Sequence, residues 1–85
     1  MPEISLFYGI RVTMYYDDHN PPHFHARYQG EEAVFDLDGN VLSGELPKAQ
    51  TRMVRAWCEI HHDELLADWE MAKTKNTMFK IDPLK

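Results

Sequence analysis

Apolar and polar side chains alternate through the first half of the chain. Ile10, Val12, Met14 and Tyr16 fall on one side, and Arg11, Thr13 and Tyr15 on the other. That period of two, carried by β-branched and aromatic residues, is the mark of a half-buried strand. Ile4 to Tyr8 reads as a short strand before it, with Gly9 as the break. Residues 17–22, Asp17-Asp-His-Asn-Pro-Pro22, read as a turn or loop. Asp and Asn bond their own backbone there, and two prolines remove two N–H donors. His23 to Tyr28 alternates again and, with Ala33 to Leu37, predicts a β-hairpin around Gly30. A second turn at Asp38-Gly39-Asn40 leads into a short strand, Val41 to Ser43. Three to five strands in a meander are expected.

The period then changes. Pro47 suits the first turn of a helix, where its missing N–H costs nothing. Ala49, Met53, Ala56, Trp57 and Ile60 follow at spacings of three and four, which is one apolar stripe. Leu65 and Ala72 sit at its edge, whereas Leu66 and Trp69 project outside it on an ideal wheel. The helix therefore either bends near His61-His62 or buries a second face in its last turns, and Trp69 with Leu66 is the candidate for such a second contact. Lys73 to Thr77 closes it with positive charge, favourable at a C-terminus. The tail offers a short edge strand through Phe79 and Ile81. The expected fold is α+β: a small antiparallel sheet over 3–46, covered on one face by one long helix over 47–73, with a tail over 74–85, in a single domain spanning 1–85.

Composition sharpens this picture in three ways. Eighty-five residues with 44% hydrophobic side chains can fold around one core, but a chain this short gains stability from a partner or a second copy. Cys58 is the single cysteine, so no intramolecular disulfide forms, and a reducing, cytoplasmic setting is expected. No apolar run approaches bilayer-spanning length and the first residues lack a signal-peptide plan, so no membrane partner is expected. Charge is uneven. Residues 1–46 carry only Arg11 and Arg27 against eight Asp and Glu, whereas residues 47–85 carry seven Lys and Arg against six acids. An acidic half argues against a broad nucleic-acid interface, which needs a basic stripe. It leaves room for a small RNA site handling one phosphate.

Candidate chemistry collects on one strand face. Residues two apart share a face, so Phe24, Ala26 and Tyr28 should meet the helix while His23, His25 and Arg27 face away. Arg11, Thr13 and Tyr15 from the preceding strand and Asp36 from the following one join that outer face if the register holds. The candidate face is then Arg11, Tyr15, His23, His25, Arg27 and Asp36.

The string Asp18-His-Asn-Pro-Pro-His-Phe-His-Ala-Arg-Tyr28, after Phe7-Tyr-Gly-Ile10 and before Leu46-Pro47 and Trp57, resembles the bacterial domain of unknown function 4160 family. The His-x-Pro-Pro-His-x-His core makes the likeness specific, and it extends over nearly the whole chain. The resemblance implies no particular reaction. It does imply a protein partner, because genes of the family often sit beside one for another small domain, an arrangement resembling a toxin–antitoxin pair.

Three uses of the face follow. As a protein-interaction module, half of a toxin–antitoxin-like pair, the chain would use its His, Arg and Tyr side chains to hold a protein partner or a second copy. As a metal site, His23 and His25, roughly 7 Å apart by strand rise, would take zinc or another divalent transition metal with His19, or with Asp17 or Asp18, as third ligand. As a metal-free RNase, His23 and His25 would share the proton transfers while Arg11 and Arg27 hold the phosphate. The interaction module is the leading expectation. The other histidines read as structural: His61 at the core edge and His62 toward solvent. Trp57 reads as a core anchor, and Cys58 has no neighbour that would activate it.

Overall fold

Turn chemistry sets the architecture. Gln29 and Gly30 both take positive φ, 47° and 83°, the pairing a two-residue type I′ hairpin requires. This turn locks Tyr28 opposite Glu31 and His23 opposite Asp36. The structure, a computed structural model, describes residues 3–16 and 19–85. Five strands follow in chain order: β1 (Glu3–Phe7), β2 (Ile10–Thr13), β3 (His23–Tyr28), β4 (Glu31–Asp36) and β5 (Val41–Gly44). They form one antiparallel sheet in the order β1-β2-β3-β4-β5, the meander expected. Asp17 and Asp18, considered above as turn residues or ligands, lie outside the described residues.

The core lies between the sheet's inner face and the helices. Ile10, Val12, Met14, Phe24, Ala26 and Phe35 are fully buried. Phe24 stacks on Phe35 at 5.5 Å and meets the Trp57 ring edge-on at 5.7 Å. A fully buried side chain of this kind contributes about 1.5–3 kcal/mol, so this inner face is the main source of stability.

Two helices replace the single long one. α1 (Lys48–Ile60) and α2 (His62–Lys73) meet at His61, so of the two alternatives the break at His61-His62 is the one found. The stripe is also rotated from the one expected. Ala49, Ala56 and Ile60 are exposed and Met53 is half-buried, whereas Val54, Trp57, Cys58, Leu65, Trp69 and Ala72 are buried. Of the pair placed outside the stripe, Leu66 is exposed but Trp69 is buried. His61 sits at the core edge beside Trp57, with Nδ1 2.6 Å from Glu64. Asp63 and Glu64 stand in the first turn of α2, where the helix dipole favours them.

The tail forms no strand. It is held by single contacts: the Ile81 N–H donates to Ile4 O at 2.7 Å, and the Trp57 indole N–H donates to Asp82 O at 2.8 Å. Ile81 is buried under these bonds and Phe79 is exposed. Among the described residues, no helix is long and apolar enough to cross a membrane.

Candidate functional site on the outer face of the sheet

The register brings three rows of side chains together on the face turned away from the core. Arg11 of β2 stands opposite Arg27 of β3, which stands opposite Glu32 of β4. Thr13, His25 and Val34 form the next row, and His23 and Asp36 the one after. Directly opposed residues share a face, so Arg11, His23, His25, Arg27 and Asp36 lie on the outer side as expected. Tyr15 joins them from just beyond β2, its ring edge-on to His25 at 4.6 Å.

Asp36 shares the face but not the chemistry. Its carboxylate accepts the backbone N–H groups of Asp38 and Asn40 at 2.9 Å and the Asn40 side-chain amide at 3.0 Å. Burial alone would raise this carboxyl, but the bonds from Asn40, Asp38 and Gly39 outweigh it and hold it below its ordinary range. Asp36 therefore builds the β4–β5 turn. The acid of the site is Glu32, which the sequence reading missed. Counting across the Gln29-Gly30 turn would have placed it opposite Arg27.

Glu32 binds two partners at once. His25 Nδ1 lies 3.0 Å from Oε2, and Arg27 donates to Oε1 at 3.0 Å. The His25 hydrogen bond, with Arg27 beside it, holds the Glu32 carboxyl below its usual value against the opposing pull of desolvation. A carboxylate only accepts, so His25 carries its proton on Nδ1 and Nε2 is the basic nitrogen of the neutral ring. His23 is fixed the same way. Its Nδ1 stands 2.6 Å from Pro21 O, and a carbonyl also only accepts. The preceding Asn20–Pro21 peptide bond is cis. Arg11 pairs with Glu3 at 2.9 Å, and Lys80 reaches the same carboxylate at 3.6 Å.

The imidazoles form a row. His19 and His23 are 5.4 Å apart between ring centres, and His23 and His25 are 5.6 Å apart. They open onto a cleft of about 580 Å³ whose walls include Tyr15, Tyr16, Val34 and Leu42. A smaller depression beside it is lined by Arg11, Thr13, Arg27 and Glu32, with His25 and Tyr15 shared between the two. The face is not wholly open, because Trp69 of α2 meets the His23 ring at 5.3 Å and His23 is buried. Among the described residues, no three His, Cys, Asp or Glu side chains gather closely enough to hold a metal ion. Among the described residues, His19, His23 and His25 stand as a row of rings.

A second depression, of about 700 Å³, lies along α1 between Arg52, Arg55, Glu59 and the Asp38–His62 pair. Arg52, Arg55 and Glu59 are exposed on the helix, where charges are solvated and ion pairs weak. The imidazoles of the histidine cleft, by contrast, are each held at Nδ1 by one partner, the half-buried Glu32 carboxylate for His25 and the Pro21 carbonyl for His23.

Fold and cleft together define a small α+β domain that presents an oriented histidine pair on the outer face of an antiparallel sheet. The family described as domain of unknown function (DUF4160) matches residues 9–70, which takes in all of this face except Glu3 and the tail. The chain belongs to that family. No curated protein and no solved structure matches it.

Proposed function

We propose that the chain is a protein-interaction module and that its partner docks over the histidine cleft. One observation carries this reading: the cleft has an apolar rim around a polar floor. Tyr16 and Leu42, both lining it, are exposed at 43% and 46%, and the half-buried Val34 and Tyr15 line it together with the two imidazoles. Exposed aromatic and aliphatic side chains surrounding fixed polar groups are the makeup of a binding site. Leu42 belongs to β5, all four residues of which are exposed, so the rim continues to the sheet's edge. The family resemblance supplies the partner's kind, the small protein expected from the neighbouring gene of a toxin–antitoxin-like pair.

Titration calorimetry of the purified chain with that neighbouring protein tests the proposal. Tyr16→Glu and Leu42→Glu change exposed side chains, so the fold should persist while binding weakens at least tenfold. Binding unchanged in both variants would remove the cleft from the interface. Sedimentation of the chain alone shows whether a second copy takes the same place.

A further inference from the structure

Two features of the outer face exceed what a docking surface needs. The first is the cross-strand pair Arg11–Arg27. Like charges directly opposite one another destabilise a sheet, and here each guanidinium is balanced by one carboxylate, Glu3 for Arg11 and Glu32 for Arg27. Such a pair is well placed to grip an oxyanion, since guanidinium forks match phosphate geometry. The second is the fixing of both imidazoles at Nδ1, by Glu32 in His25 and by Pro21 O in His23. A hydrogen bond at Nδ1 sets which nitrogen is left to take or give a proton, as acid–base chemistry requires.

The geometry points to metal-independent cleavage of an RNA phosphodiester, with His25 as general base, His23 as general acid, and Arg27 with Arg11 holding the phosphate. The RNA 2′-hydroxyl gives its proton to His25 Nε2 as its oxygen bonds to phosphorus. The bond from phosphorus to the 5′-oxygen breaks, and that oxygen leaves with the electron pair and takes a proton from protonated His23. The products are a 2′,3′-cyclic phosphate and a 5′-hydroxyl, and exchange with solvent resets the two rings. No oxidant, reductant or metal is consumed. Glu32 is a positioning residue: it orients His25, offsets the imidazolium that forms, and ties Arg27 to the same place. Tyr16, exposed at the cleft mouth, offers a ring on which an unstacked base can lie. The assignment goes beyond partner binding and stands or falls apart from it.

The test is incubation of the full chain with a labelled single-stranded RNA in the presence of a chelator, beside DNA of the same sequence. RNA fragments ending in 2′,3′-cyclic phosphate, with the DNA intact, are expected. His25→Ala and His23→Ala should each slow cleavage by about a hundredfold or more, the usual scale for a lost general acid or base. Should either alanine variant fail to fold by circular dichroism, the glutamine variant at that position takes its place. Glu32→Gln should change the pH–rate profile as well as the rate, which lost packing alone would not do. Intact RNA, equal cleavage of DNA, or wild-type rates in the histidine variants each overturn the assignment. Intact RNA in a preparation that still binds its partner overturns it while leaving the interaction reading in place.

Discussion

Gly44 links the edge of the sheet to the acid of the site, and one added methyl group tests that link. Its φ is +74°, and a Cβ built there would stand 2.2 Å from the Glu32 carbonyl oxygen and 3.0 Å from the Ala33 Cα. Both obstacles are backbone, so no side-chain rotation relieves them. An L residue held in the left-handed region costs about 1–2 kcal/mol, and forcing an extra methyl into a packed site adds about 1–3 kcal/mol. Gly44→Ala should therefore lose about 2–5 kcal/mol, a large part of the roughly 4–13 kcal/mol a domain this size holds in total. Gly30 is the internal control. Its φ is a similar +83°, but nothing lies within 4 Å of its would-be Cβ, so Gly30→Ala should show the backbone cost alone. Urea unfolding of the two variants separates the terms. Because the displaced atoms belong to Glu32 and Ala33, Gly44→Ala should also shift the His25 ring resonances while Gly30→Ala leaves them nearly in place. Equal losses in the two variants, or a loss under about 1 kcal/mol for Gly44→Ala, which is less than the backbone cost alone, would refute the packing argument.

Three further outcomes follow from the core. Trp69→Ala removes a buried ring that meets His23 and should cost about 3–5 kcal/mol, read as a lowered melting temperature, rather than leaving the fold intact as a pure contact residue would. Asp68 is buried, with Oδ1 accepting the Phe79 N–H at 2.8 Å and Oδ2 without a hydrogen-bond partner among the described residues. Desolvation raises its carboxyl above the usual range, so the stability of the wild type should decline as pH rises through that raised value. In Asp68→Asn this decline should be absent, and the melting-temperature difference between variant and wild type should move in the variant's favour from pH 4 to pH 8. Burial, with Asp36, Asp38 and Glu59 nearby, pushes the Cys58 thiol to about 12, and the thiol donates to Leu37 O at 3.1 Å. A disulfide reagent at pH 8 should label it only after denaturation, and rapid labelling of the native protein would contradict its burial.

Local chemistry written in the sequence decided the strands and most of the site. Alternation marks β2 and β3, and Gln29-Gly30 can only make a short turn, so the pairing of His23, His25 and Arg27 with their neighbours across β4 follows by counting. The same counting reaches Glu32, and the Asp36 to Asn40 turn has the composition that claims an Asp carboxylate for its own backbone. The helix orientation was not legible in this way. Its core-facing stripe runs Val54, Trp57, Cys58, the half-buried His61, Leu65, Asp68, Trp69 and Ala72 on one side of the wheel, but two polar members interrupt it, and a search for apolar spacing settles instead on Ala56 and Ile60. A helix's rotation about its axis is fixed by what the sheet below can accept, and Trp57 against Phe24 selects it here. From that rotation come the burial of Trp69 and its contact with His23. The sequence by itself determined which side chains of each strand share a face, because a strand's period of two is a property of the backbone. Only the tertiary structure decided how that face is backed, because the contact of α2 with His23 joins residues 46 positions apart, and no local periodicity encodes it.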